Sequence, residues 1–198
     1  MKTTIQAIYA ACGKQYPTNA DTLKAIDFIS ELIDENHSLS EPVEFEYDGE
    51  PDINYYDSDN YAKNTMEYQS AMESWRENRE EALQEYQEEN ESNYSELFDA
   101  IEELESNLGN DDFYFEYDGN EYRLISESAI WDIYVDEIKN IVNDCYDLKL
   151  DNIPSFVAWD IDWEQTAKNA YVDGYGHTFS GYDGSELEIV SYYVFRTN

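Results

Sequence analysis

The feature that most restricts this chain is residues 64–108, which carry Glu77, Glu80, Glu81, Glu85, Glu88, Glu89, Glu91, Glu96, Asp99, Glu102, Glu103 and Glu105. No Lys or Arg follows Arg79 until Arg123. Glu and Lys three or four residues apart support a helix, whereas like charges at that spacing weaken it. Here Glu77/Glu81, Glu81/Glu85, Glu85/Glu89, Glu96/Asp99, Asp99/Glu103 and Glu102/Glu105 are all like-charged pairs at helical spacing. A sequence that accepts this repulsion for so long gains something from the negative field itself.

The stretch still reads as helical. Tyr61, Met66, Tyr68, Met72 and Trp75 form one apolar stripe and Leu97, Ile101, Leu104 and Leu108 another. Ser92, Asn93 and Ser95 are capping types, so the spacing predicts one long acidic helix or a pair broken at residues 91–94. Gly109 and Asn110 mark its end.

Around it the chain alternates helical and strand patterns. Residues 3–12 suit a first strand or an early helix. Leu23, Ile26, Ile29 and Ile33 predict a helix over 21–35. Val43-Glu44-Phe45-Glu46-Tyr47 alternates as a strand does and ends at an Asp48-Gly49 turn, with Ile53 and Tyr55 as the returning strand. Residues 113–124 predict a hairpin about Asp118-Gly119. Ile130, Tyr134, Ile138, Ile141 and Cys145 predict a helix over 127–146, and Pro154 starts another through Tyr171. A final hairpin is expected from residues 177–182 and 187–195 about Asp183-Gly184. The pentapeptide Phe-Glu-Tyr-Asp-Gly occurs at 45–49 and again at 115–119. It is either a favoured hairpin corner or the trace of related α+β units. The expected fold is α+β and elongated, with small antiparallel sheet units flanking an acidic helical region. The segments are an N-terminal α+β unit over 1–60, the acidic region over 61–110 and a C-terminal α+β unit over 111–198.

Charge sets the functional class. The chain has 198 residues, 46 acidic against 11 basic, and a net charge of −35. Aromatic content of 16%, with 19 Tyr, supplies the core-forming capacity that disordered acidic chains lack. Such a charge repels nucleic acid and anionic membranes and attracts basic partners. Duplex DNA carries one charge per ~1.7 Å of axis. A charge of −35 therefore matches about 60 Å of duplex, roughly 17 base pairs. A compact globule of this length would have a radius of gyration of only about 16 Å. An elongated body could then display charge at close to the density of DNA.

Other chemistries have less support. His37 and His177 stand alone, with no GxSxG, HExxH or phosphate-binding loop near them. Paired carboxylates carry little information in so acidic a chain. Asp57-Ser58-Asp59 opens like a calcium loop, but Ala62 stands where that loop needs Gly. Asp160-Ile161-Asp162 places an apolar residue between its acids. No metal, cofactor or catalytic residue is expected. Halophilic adaptation fits poorly with a chain rich in Tyr, Ile and Asn. Cys12 and Cys145 read as free thiols. With no signal peptide and no apolar run near the ~18 residues of a membrane span, a cytoplasmic protein is expected.

Ile153-Pro154-Ser155, residues 159–164 with Asp160, Asp162, Trp163 and Glu164, then Ala167, Tyr171, Asp183-Gly184 and residues 193–196, resemble the end of ArdA-type antirestriction proteins. In that family a Pro-led helix carries an aromatic–Ile/Phe–Asp–aromatic–Glu core and a short hairpin follows. The resemblance covers about a quarter of the chain. Where the family has an Arg-Asp pair, this chain has Lys168-Asn169. The resemblance implies an acidic, often dimeric DNA mimic, carried by phages and plasmids, that fills the DNA groove of type I restriction-modification enzymes. The Glu77-to-Glu105 carboxylates would act collectively as the partner-binding surface. Two alternatives remain: an acidic module binding another basic DNA-associated protein (a nucleoid protein or a CRISPR-type effector), and a charged face that only confers solubility.

Overall fold

A computed structural model describes residues 2–36, 39–52, 61–145, 161–172 and 174–198. Those residues hold seven helices and a four-stranded antiparallel sheet, a mixed α+β fold. Contacts group the chain into two units, Met1–Thr18 with His37–Ser95, and Asn19–Asn36 with Glu96–Asn198.

The first unit is built from α1 (Lys2–Ala11), α3 (Tyr61–Asn93) and a strap over residues 39–52 that is neither helix nor strand. Residues 3–12 therefore take the helical option, with Ile5, Ile8 and Tyr9 on its buried face. The helix α1 packs on α3. Gly13, at φ 65°, leaves no room for a Cβ against the Gln87 side chain, and Lys14 pairs with Glu91 at 2.7 Å. At 33 residues, α3 is about 50 Å long. The acidic stretch takes the broken form: α3 ends at Asn93, Tyr94 interrupts, and α4 (Ser95–Asn107) follows.

The strap corrects the expected first hairpin. Residues 43–47 join no strand, and Ile53 and Tyr55 lie outside the described residues. The alternation still acts, because extended backbone puts Phe45 and Tyr47 on one side, stacked at 6.4 Å. That side meets α3. The Tyr94 hydroxyl donates to the Ser40 carbonyl (3.0 Å), Tyr86 to that of Val43 (2.6 Å), and Trp75 Nε1 to that of Asp48 (3.3 Å). The strap runs antiparallel to the helix, and the lengths agree. Eight residues of extended chain span about 26 Å, and the helix from Trp75 to Tyr94 about 28 Å.

The second unit centres on the sheet of β1 (Asp112–Tyr117), β2 (Asn120–Ser126), β3 (Leu187–Ile189) and β4 (Tyr192–Arg196), in the order β1-β2-β4-β3. The expected Asp118-Gly119 corner is present, with φ of 50° and 69°, the positive pair that a two-residue type I′ turn requires. Register puts Phe113, Phe115, Leu124, Val194 and Ile189 on one face. On this face Tyr192 reaches past the end of α4: its hydroxyl accepts from Gly109 N (2.6 Å) and donates to the Asn110 carbonyl (3.1 Å). The helix α2 (Ala20–Asn36) contacts β3, and its Thr22 hydroxyl donates to Glu105 at 2.7 Å. The other face presents Ile125 and Phe195 to α5 (Ile130–Cys145), α6 (Trp163–Ala170) and α7 (Gly176–Phe179). Ile130, Tyr134, Ile138, Ala167 and Phe179 complete that core, each large side chain contributing about 1.5–3 kcal/mol.

The last hairpin turns elsewhere than expected. Residues 176–179 are helical rather than extended, and β3 meets β4 through Val190-Ser191. Asp183 instead closes a local turn, its Oδ1 accepting from Ser185 N at 2.8 Å, a bond that holds its carboxyl below the usual range. Val190 sits at φ 55°, a left-handed conformation that a β-branched side chain resists. Replacing Val190 by Asn, which tolerates that region, is expected to stabilise the second unit by about 1 kcal/mol in urea unfolding; an unchanged or lowered midpoint would show that the turn carries no strain.

Candidate partner-binding surface

Successive residues of an α-helix rotate by about 100°, and this alone divides α3 lengthwise. Tyr68, Met72, Trp75, Ala82, Leu83, Tyr86 and Asn90 fall on one half, and all are buried or half-buried. Glu77, Glu80, Glu81, Glu88 and Glu91 fall on the other, Glu85 and Glu89 lie along the edge that borders the strap, and all seven are exposed. Residues 80–91 alone hold six glutamates. They share about 16 Å of axis, roughly one carboxylate every 3 Å, close to the ~3.4 Å spacing of phosphates along one DNA strand.

The cations of this helix stand at the N-terminal end of the acidic run: Arg76 is exposed, beside Glu77 and one turn before Glu80. Arg79 turns to the inner half, its guanidinium 5.9 Å from the ring centres of both Phe45 and Trp75. In the other unit Arg123 forks onto Asp112 at 3.0 and 2.8 Å and lies 4.9 Å from the Phe179 ring, while Arg196 lies 3.9 Å from the Tyr182 ring. Among the described residues, Glu91 alone of the seven forms an ion pair with a basic side chain, that of Lys14. Glu88 accepts from Gln84 Nε2 at 2.8 Å along the same helix.

The strap adds acids that sequence reasoning did not assign. Glu44, Glu46, Asp48 and Glu50 are exposed, alternating with the aromatic side chains that lie on α3. Their signal was the strand-like alternation of residues 43–47. It fixes which side chains point outward whether the extended segment pairs with a strand or a helix.

Glu96, Asp99, Glu102, Glu103 and Glu105 belong to α4 in the second unit, opposite its buried Leu97, Ala100, Ile101 and Leu104. Two of them hold that unit together. Glu96 Oε1 accepts from the Asp118 backbone N–H at 2.7 Å, and Glu105 accepts from Thr22. Burial, then the charges of Glu96, Asp118 and Tyr122, push the Tyr117 hydroxyl up to about 12.

The motif of the resemblance is structural here. Asp162 caps α6, accepting from Gln165 N at 2.9 Å. Glu164 accepts from Trp131 Nε1 at 2.9 Å and so ties α6 to α5, next to the half-buried Trp163. Asp160, with Pro154 and the Asp57-Ser58-Asp59 segment, lies outside the described residues, as does His37. His177 is exposed on α7. Among the described residues no group of three or more His, Cys, Asp or Glu is placed to hold a metal ion, and no helix is long and apolar enough to cross a membrane. Comparison with family models, with curated proteins and with solved structures finds no match.

Glu81 has Glu77 and Glu85 one turn away on either side. The substitution Glu81→Lys converts both repulsions into attractions and is expected to stabilise the first unit by about 0.5–1 kcal/mol in thermal unfolding; destabilisation would mean that Glu81 has a structural partner. The raised Tyr117 hydroxyl gives a pH prediction. The folded form keeps its proton where the unfolded chain, near 10, has lost it. Its contribution is therefore whole below pH 10 and lost as pH rises towards about 12. Tyr117→Phe is expected to flatten the alkaline fall in stability and remove one late step from the ultraviolet titration; an unaltered titration would contradict it.

Proposed function

We propose that this protein is a DNA-mimic inhibitor that occupies the DNA-binding site of a bacterial defence enzyme, a type I restriction-modification enzyme first among them. The observation that carries the reading is the face of α3. Seven glutamates are exposed along the outer half and one edge of a single helix, at phosphate-like spacing, with no Lys or Arg between Arg79 and Arg123 in sequence and, among the described residues, one ion pair, from Glu91 to Lys14. Keeping like charges one turn apart costs helix stability, so the arrangement is unfavourable to the fold and favourable to a basic groove. The choice of a type I enzyme rests on the resemblance of the C-terminal stretch to ArdA-type proteins. The inhibitor acts by competition in the bacterial cytoplasm, without covalent chemistry, metal or cofactor, and binds no nucleic acid itself.

The test is displacement of a fluorescent duplex from a purified type I enzyme. The wild-type protein is expected to release the duplex, and excess unlabelled duplex to reverse its binding. Because the effect is a summed field, any single Glu→Gln change from Glu77 to Glu89 is expected to shift the inhibition constant less than about threefold, in keeping with the small worth of one exposed charge. Reversing Glu77, Glu80, Glu81, Glu85, Glu88 and Glu89 together to Lys abolishes inhibition. Inhibition that saturating duplex cannot reverse, or that one Glu→Gln change removes, would refute the mimic.

A further inference from the structure

The strap and α3 do not close on each other along their whole length. Beside the bonds from Tyr86 to Val43 and from Tyr94 to Ser40 lies a cavity of about 570 Å³, within the range that holds a small ligand or a side-chain anchor. Its walls are the rings of Phe45, Tyr86 and Tyr94, and its rim carries Glu41, Glu44 and Glu46 from the strap with Glu85 and Glu89 from α3. Among the described residues lining it there is no Lys or Arg.

Asn90 lines the same cavity and is only 8% exposed, its Nδ2 donating to the Tyr86 carbonyl at 2.8 Å.

The chain also shows which cation such walls accept. One step along the same groove, its own Arg79 guanidinium lies over Phe45 and Trp75. A planar guanidinium can stack on Tyr86 or Tyr94 and fork onto Glu85 or Glu89. A lysine ammonium offers a point charge and no plane.

We propose that this cavity is an anchor for one arginine side chain of the basic partner. It gives the diffuse field of α3 a fixed register, since arginines that contact phosphates in a DNA groove are the donors a mimic must engage. The inference rests on the proposed function only for the source of that arginine; the cavity itself can be tested without an enzyme.

The probes are the blocked tripeptides Gly-Arg-Gly and Gly-Lys-Gly, titrated into the full-length protein and followed by NMR of the aromatic side chains. The arginine peptide is expected to shift the Phe45, Tyr86 and Tyr94 rings and to bind at least threefold more tightly than the lysine peptide. The pair Glu85→Gln/Glu89→Gln should weaken it at least threefold more than Glu102→Gln/Glu103→Gln, which removes the same charge from α4. Equal weakening by the two pairs, no preference for arginine, or no ring shifts would overturn the anchor. None of those results would bear on whether the protein competes with duplex DNA, which the displacement assay reads separately.

Discussion

The packing of the strap on α3 is the contact that the acidic face depends on. A helix with Glu77, Glu81, Glu85 and Glu89 stacked one turn apart repels itself, and isolated helices draw little stability from propensity alone. What holds it is on the other side. Tyr47 lies 5.9 Å from Trp75 and Phe45 5.3 Å from Tyr86. Trp75 and Tyr86 of α3, and Tyr94 just beyond its end, donate to strap carbonyls. Aromatic burial on one half of the helix offsets charge repulsion on the other. Tyr and Trp suit this work because each joins an apolar ring to a polar tip that can bond exposed backbone.

The second unit uses its charges differently. Glu96 and Glu105 accept internal hydrogen bonds, Asp112 holds Arg123, and Glu164 holds Trp131. A carboxylate count therefore overstates the surface open to a partner. The acids of α3 form the cleaner candidate, because most of them touch nothing that the fold requires.

The pentapeptide at 45–49 and 115–119 shows what the sequence made legible. In both copies the two aromatic rings stack, 6.4 Å apart in one and 6.5 Å in the other, because extended backbone puts alternate side chains on one side. Only the second copy becomes a strand. There Asn120 and Tyr122 continue the chain back along β1, whereas Pro51 follows the first copy soon after Gly49. Local pattern thus fixed the backbone state and the outward acids, but not whether a strand or a helix would cover the rings. The helices over α2, α3, α4 and α5 were legible from apolar spacing. The turn at Val190-Ser191 was not, since nothing local marks a valine for positive φ, while Asp183-Gly184 carries a corner signal that a side-chain hydrogen bond consumes. Among the candidate residues, exposure followed from helical periodicity. The cavity depends on a contact between segments some forty residues apart in sequence, as in the bond from Tyr86 to Val43, and no local pattern encodes it.

Recognition through a summed field of exposed carboxylates has a direct physical signature in ionic strength. The affinity of the purified protein for a type I restriction-modification enzyme should be measured from about 50 to about 200 mM salt, beside the affinity of the same enzyme for duplex DNA. If the carboxylates of α3 stand in for phosphates, both affinities fall steeply and in parallel, by about a thousandfold or more if six or more charges are engaged. An affinity for the protein that barely changes across that range, while that for DNA collapses, would contradict it.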